Sequence, residues 1–140
     1  MTSPYNLQRF TDAQESKFTI AFNEIKNGRK QSHWMWFIFP QIAGLGFSDM
    51  SKRYAINDIT EARLYMAHPI LGKRLIDISN ALLDVHGKTA NQVFGSPDDI
   101  KLKSCMTLFS LLANTNPVFE EILIKYFGGA KDTKTLQLIQ

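Results

Sequence analysis

Apolar residues recur every three or four positions along most of the chain, and polar punctuation marks where each run starts and stops. Phe18, Ala21, Phe22 and Ile25 make one stripe. The capping-box spacing of Thr11 and Gln14 opens it and Gly28 closes it, which predicts a helix over about 12–27. Ser48 is placed to cap a short helix reaching Tyr54, and Asp58 with Glu61 three residues later opens another that ends near Ala67. Pro69 restarts the chain at a first helical position. Leu71, Leu75, Ile78 and Leu82 then run as one stripe to Gly87.

Thr89 and Gln92 have capping-box spacing before a single turn that ends at Gly95. Ser96-Pro97-Asp98-Asp99 is a helix start with a serine cap, a proline and two acids against the positive end of the dipole. It leads into Ile100, Leu102, Met106 and Phe109. Asn116-Pro117 opens a helix carrying Phe119, Ile122, Leu123 and Tyr126, which Gly128 and Gly129 end, and Asp132 caps a last turn or two with Leu136 and Ile139. No run alternates cleanly over a strand's length. The expectation is an all-α, single-domain bundle over residues 1–140, with about six to eight helices, several of them short.

One stretch departs from simple amphipathicity. SHWMWFIFPQ, residues 32–41, is apolar almost all round. Its aromatics also suit a strand; read as a short helix capped by Ser32 and ended near Pro40, it puts Trp34, Phe37 and Ile38 on one face and His33, Trp36 and Pro40 on another. Such a helix either lies buried on both faces or turns one edge to a cleft. Trp34 and Trp36 point apart, so at most one of them lines a cleft.

Composition narrows the partners. The chain has 140 residues, 44% hydrophobic, which suffices for a core without disulfides or metal. Its single cysteine, Cys105, cannot form an intrachain bridge. With no signal-peptide pattern, that points to a reducing, cytoplasmic compartment. No apolar run reaches the roughly 18 residues of a membrane span. The net charge of +3 suits a small anionic ligand but is too slight, without a helix-turn-helix or aromatic-sheet signature, to indicate nucleic acid. His33, His68 and His86 lack metal-ligand spacing, so neither a metal nor a cofactor is called for.

The polar candidates are few. His33 shares the aromatic stretch with Trp36 and Gln41, and His68 is placed as a helix cap. Gly44 and Gly46 allow close backbone approach to a ligand, with Ser48 following at a helix start. Asp98, Lys101, Ser104 and Thr107 stand three residues apart and form one ridge, either a solvated face or a pocket wall. Arg74, on an otherwise apolar helix, has the fork that grips phosphate or carboxylate, or else a structural partner such as Glu61. Cys105 has no histidine at helical spacing and reads as an inert buried thiol.

Several of these stretches together resemble a known family. RFTDAQ at 9–14, SHWMWFIFPQIAGLGFS from Ser32, KRYAI at 52–56, EARLYMAHPILGKRL at 61–75, VFGSPDDIKLKSCMTLFS at 93–110 and the C-terminal FGGAKDTKTLQLI resemble the family labelled domain of unknown function 1810. The resemblance runs nearly end to end and implies a compact, mainly helical domain. Some members carry a calpastatin-like label, but inhibitors of that kind are long, disordered and repetitive, unlike this chain. The order of parts is also similar to helical NADAR domains, N-glycosidases of ADP-ribose-containing substrates, with no catalytic residue carried across.

Two functions compete. In the first, the chain binds or hydrolyses an anionic nucleotide-like ligand such as an ADP-ribose derivative. The ligand residues are then His33, Trp36, Gln41, Gly44, Gly46, Ser48, Arg74, Lys101, Ser104 and Thr107, and hydrolysis would rest on a carboxylate, Glu61 or Asp98. In the second, the chain is a non-enzymatic protein–protein interaction module, which predicts an exposed apolar patch and little polar convergence in any cleft.

Overall fold

The residue that reorganises the N-terminal prediction is Gln14. A computed structural model of the protein describes residues 5–139, and in it the expected first helix is two: α1 (Gln8–Gln14) and α2 (Phe18–Lys26). Gln14 is not available to cap anything. Its side chain is buried, donating to the Phe37 carbonyl at 2.7 Å and to the Tyr65 hydroxyl at 3.1 Å. Thr11 lies inside α1, its hydroxyl donating to the Gln8 carbonyl. Gly28, at φ +75°, ends α2 as expected.

The other elements are α3 (Met35–Ile38), α4 (Asp49–Arg53), α5 (Ile59–Ala67), α6 (Leu71–Leu83), α7 (Ala90–Phe94), α8 (Asp98–Ser110), α9 (Val118–Phe127) and α10 (Thr133–Ile139). That makes ten helices among the described residues, seven of them of seven residues or more. The fold class is all-α. Strand pairing among the described residues is one isolated parallel bridge, Ile42 to Ile56, which matters below.

Most predicted caps form. Ser48 accepts from the Ser51 amide, Asp58 from the Glu61 amide and Asp132 from the Thr135 amide. Thr89 and Gln92 make the reciprocal capping box. His68 ends α5, and its Nδ1 accepts from the amides of Ile70 and Leu71 at the start of α6. Two serine caps do not form. Ser32 turns its hydroxyl to the Glu24 carboxylate instead. Ser96 is bypassed because the Asp99 amide donates to the carbonyl of Gly95, a residue at φ +73°.

Helix α8 is the axis of the core. Leu102, Cys105, Met106, Leu108 and Phe109 are all fully buried, and α5, α7, α9 and α10 pack on it. Helices α2, α5 and α9 pack on α6. At Gly72 a Cβ would stand 2.1 Å from the Met66 carbonyl oxygen, so α6 starts where only glycine fits. Aromatic contacts join the layers: Phe10 with Tyr65, Tyr65 with Phe109, and Phe109 with Phe119 have ring centroids 5.1, 5.5 and 5.8 Å apart. Among the described residues no helix is long and apolar enough to cross a membrane.

Candidate functional site

The aromatic stretch divides between two environments. Trp34 is fully buried, with Phe39 and Phe94 around it. Its indole N–H still needs a partner, and Glu24 of α2 supplies one at 2.8 Å. The same carboxylate accepts from the Gln31 and Ser32 amides at 2.8 and 3.0 Å and from the Ser32 hydroxyl. Partial burial opposes its ionisation, but these four donors outweigh that and lower its pKa from 4.5 to about 2. Two residues beyond Trp34, Trp36 is only half-buried and turns the other way.

Trp36 lines a hollow of about 200 Å³ between the loop 41–46 and residues 51–57, the end of α4 and the loop that follows it. The isolated bridge ties these loops: the Ile56 amide donates to the Gln41 carbonyl and the Ala43 amide to the Ile56 carbonyl, both at 2.8 Å. Gln41, Gly44 and Gly46 line it from one side, Ser51, Lys52, Tyr54 and Asn57 from the other. A Cβ on Gly46 would lie 2.5 Å from the Ser51 hydroxyl oxygen, so the loop–α4 approach requires glycine there. Gly44, at φ +105°, sits against Leu138 of α10.

A second hollow of about 370 Å³ adjoins the first, sharing Gln41, Leu45, Gly46 and Ser51. Lys101, Ser104, Ile100 and Pro97 close it from α8, Asp132 and Lys134 from the start of α10. Together the two fall in the size range of small-molecule sites, roughly 300–1,000 Å³. The Lys101 ammonium stands 5.4 Å from the centroid of the Trp36 ring, which links the hollows. Ser104 is buried at the floor and donates to the Ile100 carbonyl at 3.2 Å. That leaves its oxygen lone pairs as acceptors.

Charge at this cleft is mostly cationic. Asp98 Oδ2 is 3.0 Å from the Lys30 ammonium and its Oδ1 is 3.5 Å from that of Lys101. Lys30 also donates to the Ser32 carbonyl at 2.6 Å and lies 5.0 Å from the Trp34 ring centroid. Lys52 and Lys134 are exposed and make no ion pair among the described residues. Asp132 caps α10 through Oδ2, which accepts from the Thr135 amide and hydroxyl.

Of the residues the sequence suggested, Trp36, Gln41, Gly44, Gly46, Lys101 and Ser104 meet at this cleft, and Asp98 borders it through Lys101. The others lie elsewhere, each for a physical reason. Glu61 is fully buried behind the 53–57 wall. Both its oxygens take the Arg9 guanidinium at 3.1 Å, and Oε1 also accepts from the Asn57 amide and side chain, so no oxygen faces a ligand. Arg74 donates to Gln14 Oε1 at 3.3 Å and covers the Phe18 ring. The partner suggested for it, Glu61, is taken by Arg9. His33 is exposed and outside both hollows. Ser48 caps α4. Thr107 is buried, donating to the Lys103 carbonyl and accepting from the Asp132 amide, which fixes α10 against α8.

Sequence reasoning passed over Ser51, Asn57 and Lys134. Only Ser51 left a trace, as the third residue after the Ser48 cap. Away from the cleft, Phe18, Phe22 and Ala81 line a groove of about 620 Å³ between α2 and α6, with Lys26, Asp77 and Asp84 at its edges. Cys105 is fully buried and its thiol pKa is raised by desolvation, which leaves it inert.

The fold recurs in a solved structure. The crystal structure of the conserved hypothetical protein Rv1873 from Mycobacterium tuberculosis is similar over 98% of each chain, with a TM-score of 0.96 and 42% identity. The family model described as "Protein of unknown function (DUF1810)" matches residues 4–139. No curated protein matches the chain.

Proposed function

The chain belongs to the DUF1810 family of proteins of unknown function, and we propose that its cleft binds a small anionic ligand with a planar ring, of the nucleotide class, ADP-ribose derivatives among them. One observation carries this reading: the Lys101 ammonium stands 5.4 Å from the ring centroid of the half-buried Trp36, at the junction of two adjoining hollows. An indole supplies a stacking surface for a base, and ammonium groups beside it supply the counter-charge for phosphate. Gln41 and Asn57 add amide groups able to address ring edges.

The geometry supports binding over hydrolysis. Glu61 is sealed away with both oxygens on Arg9, and Asp98 is outside the lining of both hollows, so neither carboxylate stands where it would direct an attacking water. Polar side chains from α4, α8, α10 and two loops converge on one cleft, which an interaction module has no need of.

The test is thermal unfolding with a panel of ADP-ribose, NAD, AMP and adenosine, paired with tryptophan fluorescence. At a ligand concentration 100-fold above Kd, linkage gives about 2.7 kcal/mol, a rise in Tm of about 5–10 °C for a chain of this length. Fluorescence quenching should vanish in Trp36→Phe, because Trp34 is buried in the core. A panel that neither raises Tm nor quenches the fluorescence overturns the reading.

A further inference from the structure

We propose that the second hollow is a phosphate seat in which the ligand takes Lys101 from Asp98, so that the Lys30–Asp98–Lys101 relay sets the affinity. This rests on the nucleotide reading and assigns its phosphate end. The two lysines are not equivalent partners of Asp98. Lys30 is the closer, at 3.0 Å, and its side chain is 10% exposed. Lys101 is farther, at 3.5 Å, and 22% exposed. A side chain of Lys101 that swings toward the hollow therefore leaves Asp98 still neutralised by Lys30. An anion entering between Lys101 and Lys134 gains two ammonium groups and leaves Asp98 paired with Lys30; the one carboxylate on the lining is Asp132, whose Oδ2 is held by Thr135.

Phosphate fits these walls better than carboxylate does. Among the described residues no arginine lines the hollow, so the planar fork that pairs best with a carboxylate is not among them, whereas lysines act as point charges on a tetrahedral anion. Ser104, an acceptor only once its proton is given to Ile100, suits a ligand hydroxyl next to the phosphate.

Asp98 and the incoming anion compete for one ammonium, so changes on either side of that carboxylate must move affinity in opposite directions. Lys30 is a positioning residue here: it reaches the ligand only by holding Asp98. Titration calorimetry with inorganic pyrophosphate at low salt reads the effect. Asp98→Asn frees Lys101 and removes a repelling charge, and should tighten pyrophosphate binding about threefold to tenfold. Lys30→Met leaves Asp98 with Lys101 alone and should weaken it by a similar factor. Lys101→Met should abolish measurable binding while Tm stays close to wild type.

If Asp98→Asn fails to fold, the Lys30→Met and Lys101→Met pair still decides. Should all three variants bind pyrophosphate as wild type does while ADP-ribose stabilises the protein, the phosphate lies elsewhere and this inference alone fails. If neither pyrophosphate nor any nucleotide binds, both it and the nucleotide reading fail.

Discussion

Replacing Glu24 by glutamine should change how the stability of the protein depends on acid. The carboxylate gathers four donors, from Gln31, Ser32 twice and Trp34, and its pKa is held at about 2 instead of 4.5. A pKa depressed by folding stabilises the native state above the unfolded value and loses that contribution as pH falls through the folded one. The window is therefore from about pH 4.5 down to about 2. At about 1.36 kcal/mol per unit the depression corresponds to about 3 kcal/mol, and screening of a group with partial solvent access reduces this to about 2. The Glu24→Gln side chain keeps the shape and one acceptor oxygen, but it has no charge to titrate and turns an NH2 group toward donors. Urea unfolding of both proteins at pH 6 and at pH 3 isolates this group from every other carboxylate. The stability gap should be about 2 kcal/mol at pH 6 and should shrink by half or more at pH 3. An equal gap at the two pH values would refute the charge-assisted account of how the aromatic segment is held.

Two more substitutions test the frame of the cleft. Gly46→Ala drives a methyl against Ser51, 2.5 Å from its oxygen and 2.6 Å from its Cβ, and should cost about 1–3 kcal/mol. In urea unfolding Ser51→Gly should restore most of that in the double variant, and strictly additive losses would show that the close approach is not the cause. Glu61→Gln strands the Arg9 guanidinium, which is otherwise bonded to the Arg53, Asn6 and Ala55 carbonyls. The expected loss is about 3–5 kcal/mol, and amide hydrogen exchange should accelerate first in residues 53–57.

The helices were legible because their ends are chemical events confined to a few residues. Asp58, Thr89 with Gln92, and Asp132 act as caps where their spacing said they would. Thr11 and Gln14 have the same spacing and do not, because the Gln14 amide satisfies a buried carbonyl and a buried hydroxyl from elements far along the chain. The same limit governs the cleft. Trp36, Gln41, Gly44 and Gly46 lie in one stretch, and Lys101 and Ser104 share one helix ridge, so local spacing groups them, but it groups His33, Ser48 and Thr107 with them and these lie elsewhere. Glu61 and Arg74 differ from the sequence expectation because only tertiary structure shows that Arg9 takes the one and Gln14 the other. Nothing in the order of residues marks Lys134 as facing Lys101 across a hollow.

The two carboxylates that hold this cleft together are both outside it. Glu24 fixes the entry to α3 by gripping Trp34, and the residue two places on, Trp36, is thereby turned to the cleft. Glu61 holds Arg9 and Asn57, and so fixes the opposite wall, where Tyr54, Ala55 and Asn57 line the first hollow. Loops carry most of the lining, and loops hold a ligand geometry only when something behind them is rigid. The buried Arg9–Glu61 pair and the Ile42–Ile56 bridge provide that rigidity. Binding and stability should then separate by position. Substitutions at Glu24 and Glu61 move both together, since they loosen the walls, whereas Lys101, half-buried and bound only loosely to Asp98, alters affinity with little effect on folding. A carboxylate that supports a wall and a lysine proposed to meet the ligand are thus distinguished by which measurement responds, even where the sequence offers both as equal candidates for chemistry.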